Sequence, residues 1–182
     1  IAGFHERLEY FSRLLLKIPY RMGPMGEGTF DSIEPKPLVY LDSVDCVTYM
    51  EHALALANAP HEDSLFSVLQ RIRYFDGKIS YRTRKHYLLT DWVGEGKFSH
   101  GIRIDGDTTI VRTMPKKKFF SAKKIKFDEE EPQVHINYLT LDKAKAWASA
   151  VYEGEPKVIG VAFISKLDII DAYHTGFIVL AP

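Results

Sequence analysis

Apolar residues recur every three or four positions at the start of the chain, and this spacing predicts an amphipathic helix over residues 1–17. Pro19 should end this helix, because proline lacks the N–H group that a further helical turn needs. Residues 19–37 are rich in glycine and proline and predict an ordered surface loop, followed by a short strand at 37–41. The apolar face of the helix consists of Phe4, Leu8, Phe11, Leu15 and Leu16.

Two further helices are predicted before the middle of the chain. One begins near Asp45, whose carboxylate is a good N-cap, and runs to about residue 57. The other covers about residues 62–71, with His61 or the acidic pair after it as the cap.

From residue 74 onward, short runs rich in β-branched and aromatic residues alternate with turns such as Asp76-Gly77 and Asp105-Gly106. One helical stretch, residues 141–151, interrupts them. Helices first and strands later predict an α+β domain with an antiparallel sheet. The predicted strands are 101–104, 108–112, 134–139, 158–165 and 174–180.

Composition narrows the functional classes. The 182 residues suit a single domain spanning 1–182, and 46% hydrophobic with 26% charged residues is ordinary for a globular protein. Twenty-four basic residues balance 24 acidic ones, which argues against a nucleic-acid binder. The longest apolar run is about half of the roughly 20 residues that a membrane span needs. We expect a monomer without a membrane span.

A basic run at residues 116–126 precedes four acidic residues at 128–131. It could form a basic lip for an anionic ligand, or a solvated loop or hairpin whose charges screen one another. We favour the second interpretation, because charged surface runs rarely carry specificity.

The sequence predicts neither a metal nor a cofactor. No pair among the seven histidines has the i, i+4 spacing of a helical zinc site, and one cysteine cannot form a cysteine cluster. Glycine-rich phosphate-binding motifs are also absent from the sequence.

Cys46 is a candidate nucleophile. It falls in the first turn of a predicted helix, where backbone N–H groups and the helix dipole stabilise a thiolate. His174 opens the last predicted strand, 128 residues downstream, and is the candidate general base. The alternative is that Cys46 is a buried structural thiol on the apolar face with Met50 and Ala53. The neighbouring Asp45 carboxylate would then raise the pKa of the thiol.

The residues around Cys46 resemble a known family. The segment 41–56, with its Asp-Cys-Val-Thr-Tyr-x-Glu core, resembles the nucleophile helix of NlpC-type cell-wall cysteine hydrolases, and within them the N-acetylmuramoyl-L-alanine amidase-like branch. Three further blocks occur in the family's order over most of the chain: Pro19-Tyr20 with Gly23, residues 72–77 through 84–87 to 91–92, and His174-Thr175-Gly176-Phe177.

This resemblance implies a papain-like α+β fold, with N-terminal helices packed on an antiparallel sheet. It makes Cys46 the nucleophile, His174 the base, and Tyr20 the tyrosine that lines the nucleophile pocket. The Cys46 backbone N–H would help to form the oxyanion hole. The family places a third polar residue on the next strand, but this sequence ends at Pro182, so the third member stays unassigned.

We expect substrate contacts from further residues of these blocks. Arg84 suits the carboxylates of muropeptides, and Tyr87 or Trp92 suits stacking on sugar rings. Alternatively, the two aromatic residues belong to the core, and Arg73, Arg84 and Asp91 pair with one another. Asp45 either receives a substrate ammonium or caps its helix. The predicted substrate-binding set is Tyr20, Asp45, Arg84, Tyr87, Asp91 and Trp92.

The resulting hypothesis is a bacterial cysteine amidase that cleaves the N-acetylmuramoyl–L-alanine bond of peptidoglycan fragments. One alternative is an endopeptidase that cuts a D-glutamyl–diamino-acid bond in stem peptides. The other is a non-catalytic cell-wall binding module. Such substrates imply a periplasmic or exported protein with its signal peptide removed, or a route of fragment recycling.

Overall fold

The computed structural model describes residues 3–93, 104, 107–151, 157–167 and 169–180. It is an α+β structure with small antiparallel sheets. Within the described residues, the α-helices are α1 (Phe4–Leu15), α2 (Cys46–Asn58), α3 (Leu65–Arg73), α4 (Lys116–Ser121) and α5 (Leu141–Val151). The strands are β1 (Thr108–Thr113), β2 (Gln133–Tyr138), β3 (Lys157–Ile164) and β4 (Ala172–Leu180). Short 3-10 turns at Glu62–Ser64 and Phe75–Gly77 and a π-helix at Leu88–Val93 complete the elements.

The chain divides into two compact units. The first contains Ile1–Lys85, Pro156–Val161 and His174–Pro182, and the second contains His86–Glu155 and Ala162–Tyr173. The first unit therefore combines the N-terminal helices with parts of β3 and β4. The second holds β1, β2, α4, α5 and the π-helix.

Helix α1 confirms the predicted N-terminal helix but ends two residues early. Leu8 and Leu15 are buried, together with Ser12 between them. Leu16, the C-cap residue, and Phe4 at the helix start are exposed, so these two members of the predicted apolar face are not buried. Burial is confined to the narrower stripe of Leu8, Ser12 and Leu15, although Leu16 still has helical φ and ψ.

Helix α2 confirms the predicted helix near its predicted bounds. Alanines 53, 55 and 57 are fully buried, and small side chains allow close packing on neighbouring elements. The Tyr49 hydroxyl donates to the Ser12 carbonyl oxygen at 3.1 Å, which ties α2 to α1.

The strand predicted at 37–41 is wrong, since these residues are irregular. Their backbone groups have other partners. The Pro37 carbonyl accepts from the Gly26 N–H at 3.1 Å, and the Leu38 carbonyl accepts from the Arg73 guanidinium at 3.1 Å. Proline also cannot donate to a sheet ladder.

The four strands confirm four of the five sequence predictions. Strands β1 and β2 pair antiparallel, from Thr108 opposite Tyr138 to Thr113 opposite Gln133, and β3 pairs with β4. The described strands form two two-stranded sheets, so the expectation of one sheet is wrong for this part of the chain. Most of the strand predicted at 101–104 and the Asp105-Gly106 turn lie outside the described residues.

Part of the basic run is helical, which corrects the prediction of a loop or hairpin. Lys116–Ser121 forms α4, because Phe120 is buried and stacks on Phe127 with ring centroids 5.3 Å apart. The predicted Asp76-Gly77 turn is confirmed, with positive φ at both residues. Among the described residues, no helix has the length and apolar character that crossing a membrane requires.

Candidate active site

The start of α2 is fixed by the carboxylate of Asp45. One oxygen, Oδ1, accepts from the Thr48 N–H and the Thr48 hydroxyl, each at 2.8 Å. The other, Oδ2, accepts from the Gly23 N–H at 2.9 Å. Asp45 is therefore the N-cap of α2, and it also ties the loop after α1 to the helix start. This cap makes Cys46 the first helical residue.

Tyr20 is held beside the same helix start by a short parallel bridge to Val44. The Val44 N–H donates to the Pro19 carbonyl and the Arg21 N–H donates to the Val44 carbonyl, both at 3.0 Å. Tyr20 and Cys46 line the same cleft. Burial of the hydroxyl raises the pKa of Tyr20, and negative charge on Cys46 and Asp45 raises it further.

Strand β4 supplies the other side of the thiol environment. Thr175 of this strand and Cys46 line the same cleft, and hydrogen bonding by the Thr175 backbone N–H lowers the pKa of the Cys46 thiol. The Thr175 side chain is only 3% exposed, and its hydroxyl donates to the Val161 carbonyl of β3 at 2.8 Å. Cys46 thus lies beside the residue that directly follows His174.

The electrostatics of Cys46 combine opposing effects. Burial of the half-buried thiol raises its pKa, and the Asp45 carboxylate raises it further. Hydrogen bonds from the backbone N–H groups of Thr175, Val47 and Cys46 act in the opposite direction, because they stabilise the thiolate. In the free protein the pKa of Cys46 lies above its ordinary value.

Cys46 and His174 line the same cleft, about 420 Å³ in volume, within the first unit. Their catalytic roles stay predictions, as does the pocket role of Tyr20, which also lines this cleft. The remaining lining residues are Ser12, Arg13, Leu15, Leu16, Ile18, Val44, Asp45, Tyr49, Thr175, Gly176, Phe177 and Val179.

Several residues that line the cleft were not predicted as site residues from the sequence. Arg13 brings a guanidinium to the cleft wall while pairing with Glu9 of the preceding turn at 2.8 Å. The rings of Tyr49 and Phe177 contact each other with centroids 5.8 Å apart. Tyr49 and Phe177 belong to the motifs quoted above, which assign them no role, and no motif includes Arg13. Only the packing of α1 and β4 beside α2 brings the three residues to one cleft.

Arg84 is bound into an ionic cluster of the first unit. Its guanidinium lies 2.9 Å from carboxylate oxygens of both Glu27 and Glu34, and it stacks on the Tyr81 ring at 4.8 Å. Burial raises the pKa of Glu27, which Arg84 counteracts. Arg84 is not among the described residues that line the Cys46 cleft. Its substrate-binding role stays a prediction.

Tyr87, Asp91 and Trp92 are buried in the second unit. Asp91 accepts from the N–H groups of His86 and Tyr87, each at 3.0 Å, and pairs with Lys116 at 2.8 Å. The Tyr87 ring lies 5.5 Å from the ring of Phe119. Their substrate contacts also stay predictions.

The alternative in which Arg73, Arg84 and Asp91 pair with one another is wrong. Arg73 pairs instead with Glu51 at 3.1 Å, a contact in which both side chains are almost completely buried. Sequence alone could not select the partners, because each acidic partner is reached only through tertiary folding.

Metal chemistry has no candidate site in the part of the chain that the structure describes. No three histidine, cysteine, aspartate or glutamate side chains there form a group suited to a metal ion.

Comparisons with known proteins agree with this arrangement of elements. The model of the AmiA-like family, described as N-acetylmuramoyl-L-alanine amidase-like, matches residues 10–182. A Legionella pneumophila protein of the DUF1460 family is similar at 18% identity and a TM-score of 0.74, over 97% of this chain and 74% of that one. An N-acetylmuramoyl-L-alanine amidase from Bacteroides uniformis is similar at 23% identity and a TM-score of 0.65, over 97% and 80%. At these low sequence identities, the structural similarity shows that this chain shares the fold of these proteins. No curated protein matches the sequence.

Proposed function

The chain belongs to the N-acetylmuramoyl-L-alanine amidase-like family, and from this premise we propose that it is a cysteine amidase acting on peptidoglycan fragments. Its bond would be the amide between the lactyl group of N-acetylmuramic acid and L-alanine. The observation that carries the proposal is the cleft shared by Cys46 and His174, in which the Thr175 N–H lowers the pKa of the Cys46 thiol. A cysteine at a helix start beside a histidine-bearing strand also supports an NlpC-type, papain-like fold.

The proposed reaction uses the two side chains in sequence. His174 takes the Cys46 thiol proton, and the thiolate attacks the amide carbonyl. The Cys46 N–H, free of an intrahelical partner at the first position of α2, stabilises the developing oxyanion. His174 then protonates the departing L-alanine amine, leaving a thioester on Cys46. Water activated by His174 cleaves the thioester, which releases the muramic acid carboxylate and regenerates the thiol.

The raised pKa of Cys46 fits a nucleophile that is activated by its base. Burial and Asp45 keep the free thiol largely protonated at neutral pH, so attack depends on proton transfer to His174. Loss of His174 should therefore lower kcat much more than it changes KM.

The state of Asp45 favours the amidase over the endopeptidase. An endopeptidase that requires a free L-alanine amine needs a carboxylate for that ammonium. Asp45 is the acidic residue in the described cleft lining, and both of its oxygens accept hydrogen bonds from the protein itself. A substrate whose alanine amine is acylated by a sugar needs no such carboxylate.

Other properties of the protein follow from this proposal. The family match spans parts of both compact units, which supports a single amidase domain over residues 1–182. Peptidoglycan fragments as substrates place the protein in the periplasm or outside the cell. The mechanism uses neither metal nor cofactor, and we propose a monomer.

The proposal is tested with a defined disaccharide-peptide and mass spectrometry of its products. Wild-type protein should release intact stem peptide and free sugar, whereas the free peptide should be a poor substrate. Cys46→Ala should abolish release and keep the fold, since alanine is favourable in helices. Rapid cleavage of a free tripeptide between its second and third residues would establish the endopeptidase instead. Substantial activity of folded Cys46→Ala, or an inert wild type, would refute the thiol mechanism.

A further inference from the structure

Thr175 connects strands β3 and β4 with helix α2, which begins at the candidate nucleophile. Its hydroxyl donates to the Val161 carbonyl of β3 at 2.8 Å and lies 2.8 Å from the Met50 sulfur of α2. On the other side, Met50 packs against Gly160 of β3, where a Cβ would lie 3.3 Å from the Met50 methyl carbon. All of these residues belong to the first unit.

The backbone of the same residue affects the candidate nucleophile. Thr175 and Cys46, which lies four residues before Met50 on α2, line the same cleft, and the Thr175 N–H lowers the pKa of the Cys46 thiol. His174, which directly precedes Thr175, lines the cleft. A shift of β4 along β3 or away from α2 would therefore displace a thiolate donor and the candidate base together.

We propose that Thr175 is a positioning residue whose buried hydroxyl holds β4 on β3 and α2, so that its N–H is aimed at the Cys46 sulfur. The role assigned in catalysis rests on the proposed function. The effect on the thiol does not, because it follows from the contacts of Thr175 alone.

The hydroxyl, and not the bulk of the side chain, carries this role. Valine has nearly the shape of threonine but cannot donate to the Val161 carbonyl, which would lose its side-chain partner. A partly buried carbonyl that loses its partner is destabilising, so the Thr175→Val strand should shift toward other contacts. Serine keeps the hydroxyl and removes only a methyl group.

The experiment measures iodoacetamide labelling of Cys46 against pH, read by intact mass, because thiolate is the labelled species. In Thr175→Val, labelling at neutral pH should be about tenfold slower, and the midpoint of the labelling rate against pH should lie at higher pH. This is the effect expected when a hydrogen bond to the Cys46 thiolate is weakened. Thr175→Ser should follow the wild type. Thr109→Val is the matched control: Thr109 lies on β1 and donates to Asn137 at 2.7 Å in the other unit, and its labelling profile should not change.

An unchanged labelling profile in folded Thr175→Val overturns the proposal, and so does a Thr175→Ser profile displaced as far as that of Thr175→Val. If Thr175→Val does not fold, Thr175→Ser is compared with Thr175→Ala: slower labelling in alanine alone supports the proposal, and equal labelling overturns it. On muramoyl-peptide substrate, Thr175→Val should lower kcat more than it changes KM. A wild type that is labelled normally but hydrolyses no muramoyl-peptide would refute the proposed function, while the labelling series still decides the role of Thr175.

Discussion

At the scale of single residues, Asp45 has two effects that a substitution can separate. Its carboxylate caps α2 and binds the Gly23 N–H, and its charge raises the pKa of Cys46. Stability of the helix start and reactivity of the thiol are thus linked through one side chain.

Asp45→Asn should move these two properties in opposite directions. Asparagine is as good an N-cap as aspartate, but its amide has a single acceptor oxygen, so the Gly23 or Thr48 N–H loses its partner. We expect a loss of about 1–3 kcal/mol in the free energy of unfolding, measured with urea. Removing the charge should lower the pKa of Cys46 and speed its alkylation at neutral pH. An alkylation midpoint that stays in place or rises would contradict this electrostatic role.

At the same scale, sequence identified side-chain chemistry better than side-chain partners. The spacing of Asp45 and Thr48 already indicated a cap, because a cap depends on residues three apart. Arg84 and Asp91 were expected to pair with each other or with substrate, yet their partners Glu27, Glu34 and Lys116 lie 25 to 57 positions away. No local pattern encodes such contacts.

At the scale of elements, the loop between α1 and α2 is ordered by its own backbone. The Gly26 N–H donates to the Pro37 carbonyl, and the Gly28 N–H donates to the Lys36 carbonyl at 2.9 Å. The Gly26 carbonyl in turn accepts from the Tyr74 hydroxyl at 3.1 Å. The loop is consequently packed onto α3 and its C-terminal cap, and it also presents Gly23 to Asp45.

Gly26→Ala should disrupt this loop. A Cβ at position 26 would overlap the backbone carbonyl oxygen of Glu34, which cannot rotate away as a side chain could. We expect a loss of about 1–3 kcal/mol in the free energy of unfolding, typical of overpacking, seen as a lower Tm. Gly176→Ala is the control, since a Cβ there meets no described atom within 4 Å. Equal Tm values for the two variants would refute the steric argument.

Helices and strands were predicted correctly where apolar residues recur with one regular spacing. Helix α5 and strands β1 and β2 have nearly their predicted bounds, because their side-chain periodicity matches one geometry throughout. Helix α4 was missed because its lysines obscured the pair Phe119 and Phe120, whose packing stabilises it. The irregular course of residues 37–41 depends on contacts with Gly26 and Arg73, which sequence does not reveal.

At the scale of the whole molecule, stability should depend on the protonation of Glu51. Burial raises the pKa of this carboxyl to about 7, and the Asp45 carboxylate raises it further. The guanidinium of Arg73, 3.1 Å away, opposes the shift, and Arg84 opposes it more weakly. The folded state therefore binds a proton more tightly than the unfolded state, where the pKa is about 4.5. The stability contributed by this proton is fully present below about pH 4.5 and is lost as pH rises through about 7.

The predicted change in the free energy of unfolding is on the order of 3 kcal/mol between pH 4.5 and 8. Urea unfolding of the wild type and Glu51→Gln at both pH values measures it, because glutamine cannot titrate. The wild type should lose more stability than Glu51→Gln as pH rises, even if the variant is less stable throughout. Burial also raises the pKa of Glu27 and Asp171, but both are unchanged in the variant and cancel in the comparison. Parallel pH dependences would contradict the assignment to Glu51.

The side chains that line the cleft are synthesised at different times. Cys46 precedes His174 by 128 residues. The contact between α1 and β3 is also made late, because the Val158 N–H donates to His5 at 3.1 Å across 153 positions of the chain. At about 5–20 residues per second, a ribosome needs roughly ten seconds to extend the chain from Cys46 to His174. Throughout that interval the nascent chain carries its candidate nucleophile without the Thr175 N–H and without the proposed base. The site is thus assembled last, and a partly made chain cannot yet hydrolyse anything by this route.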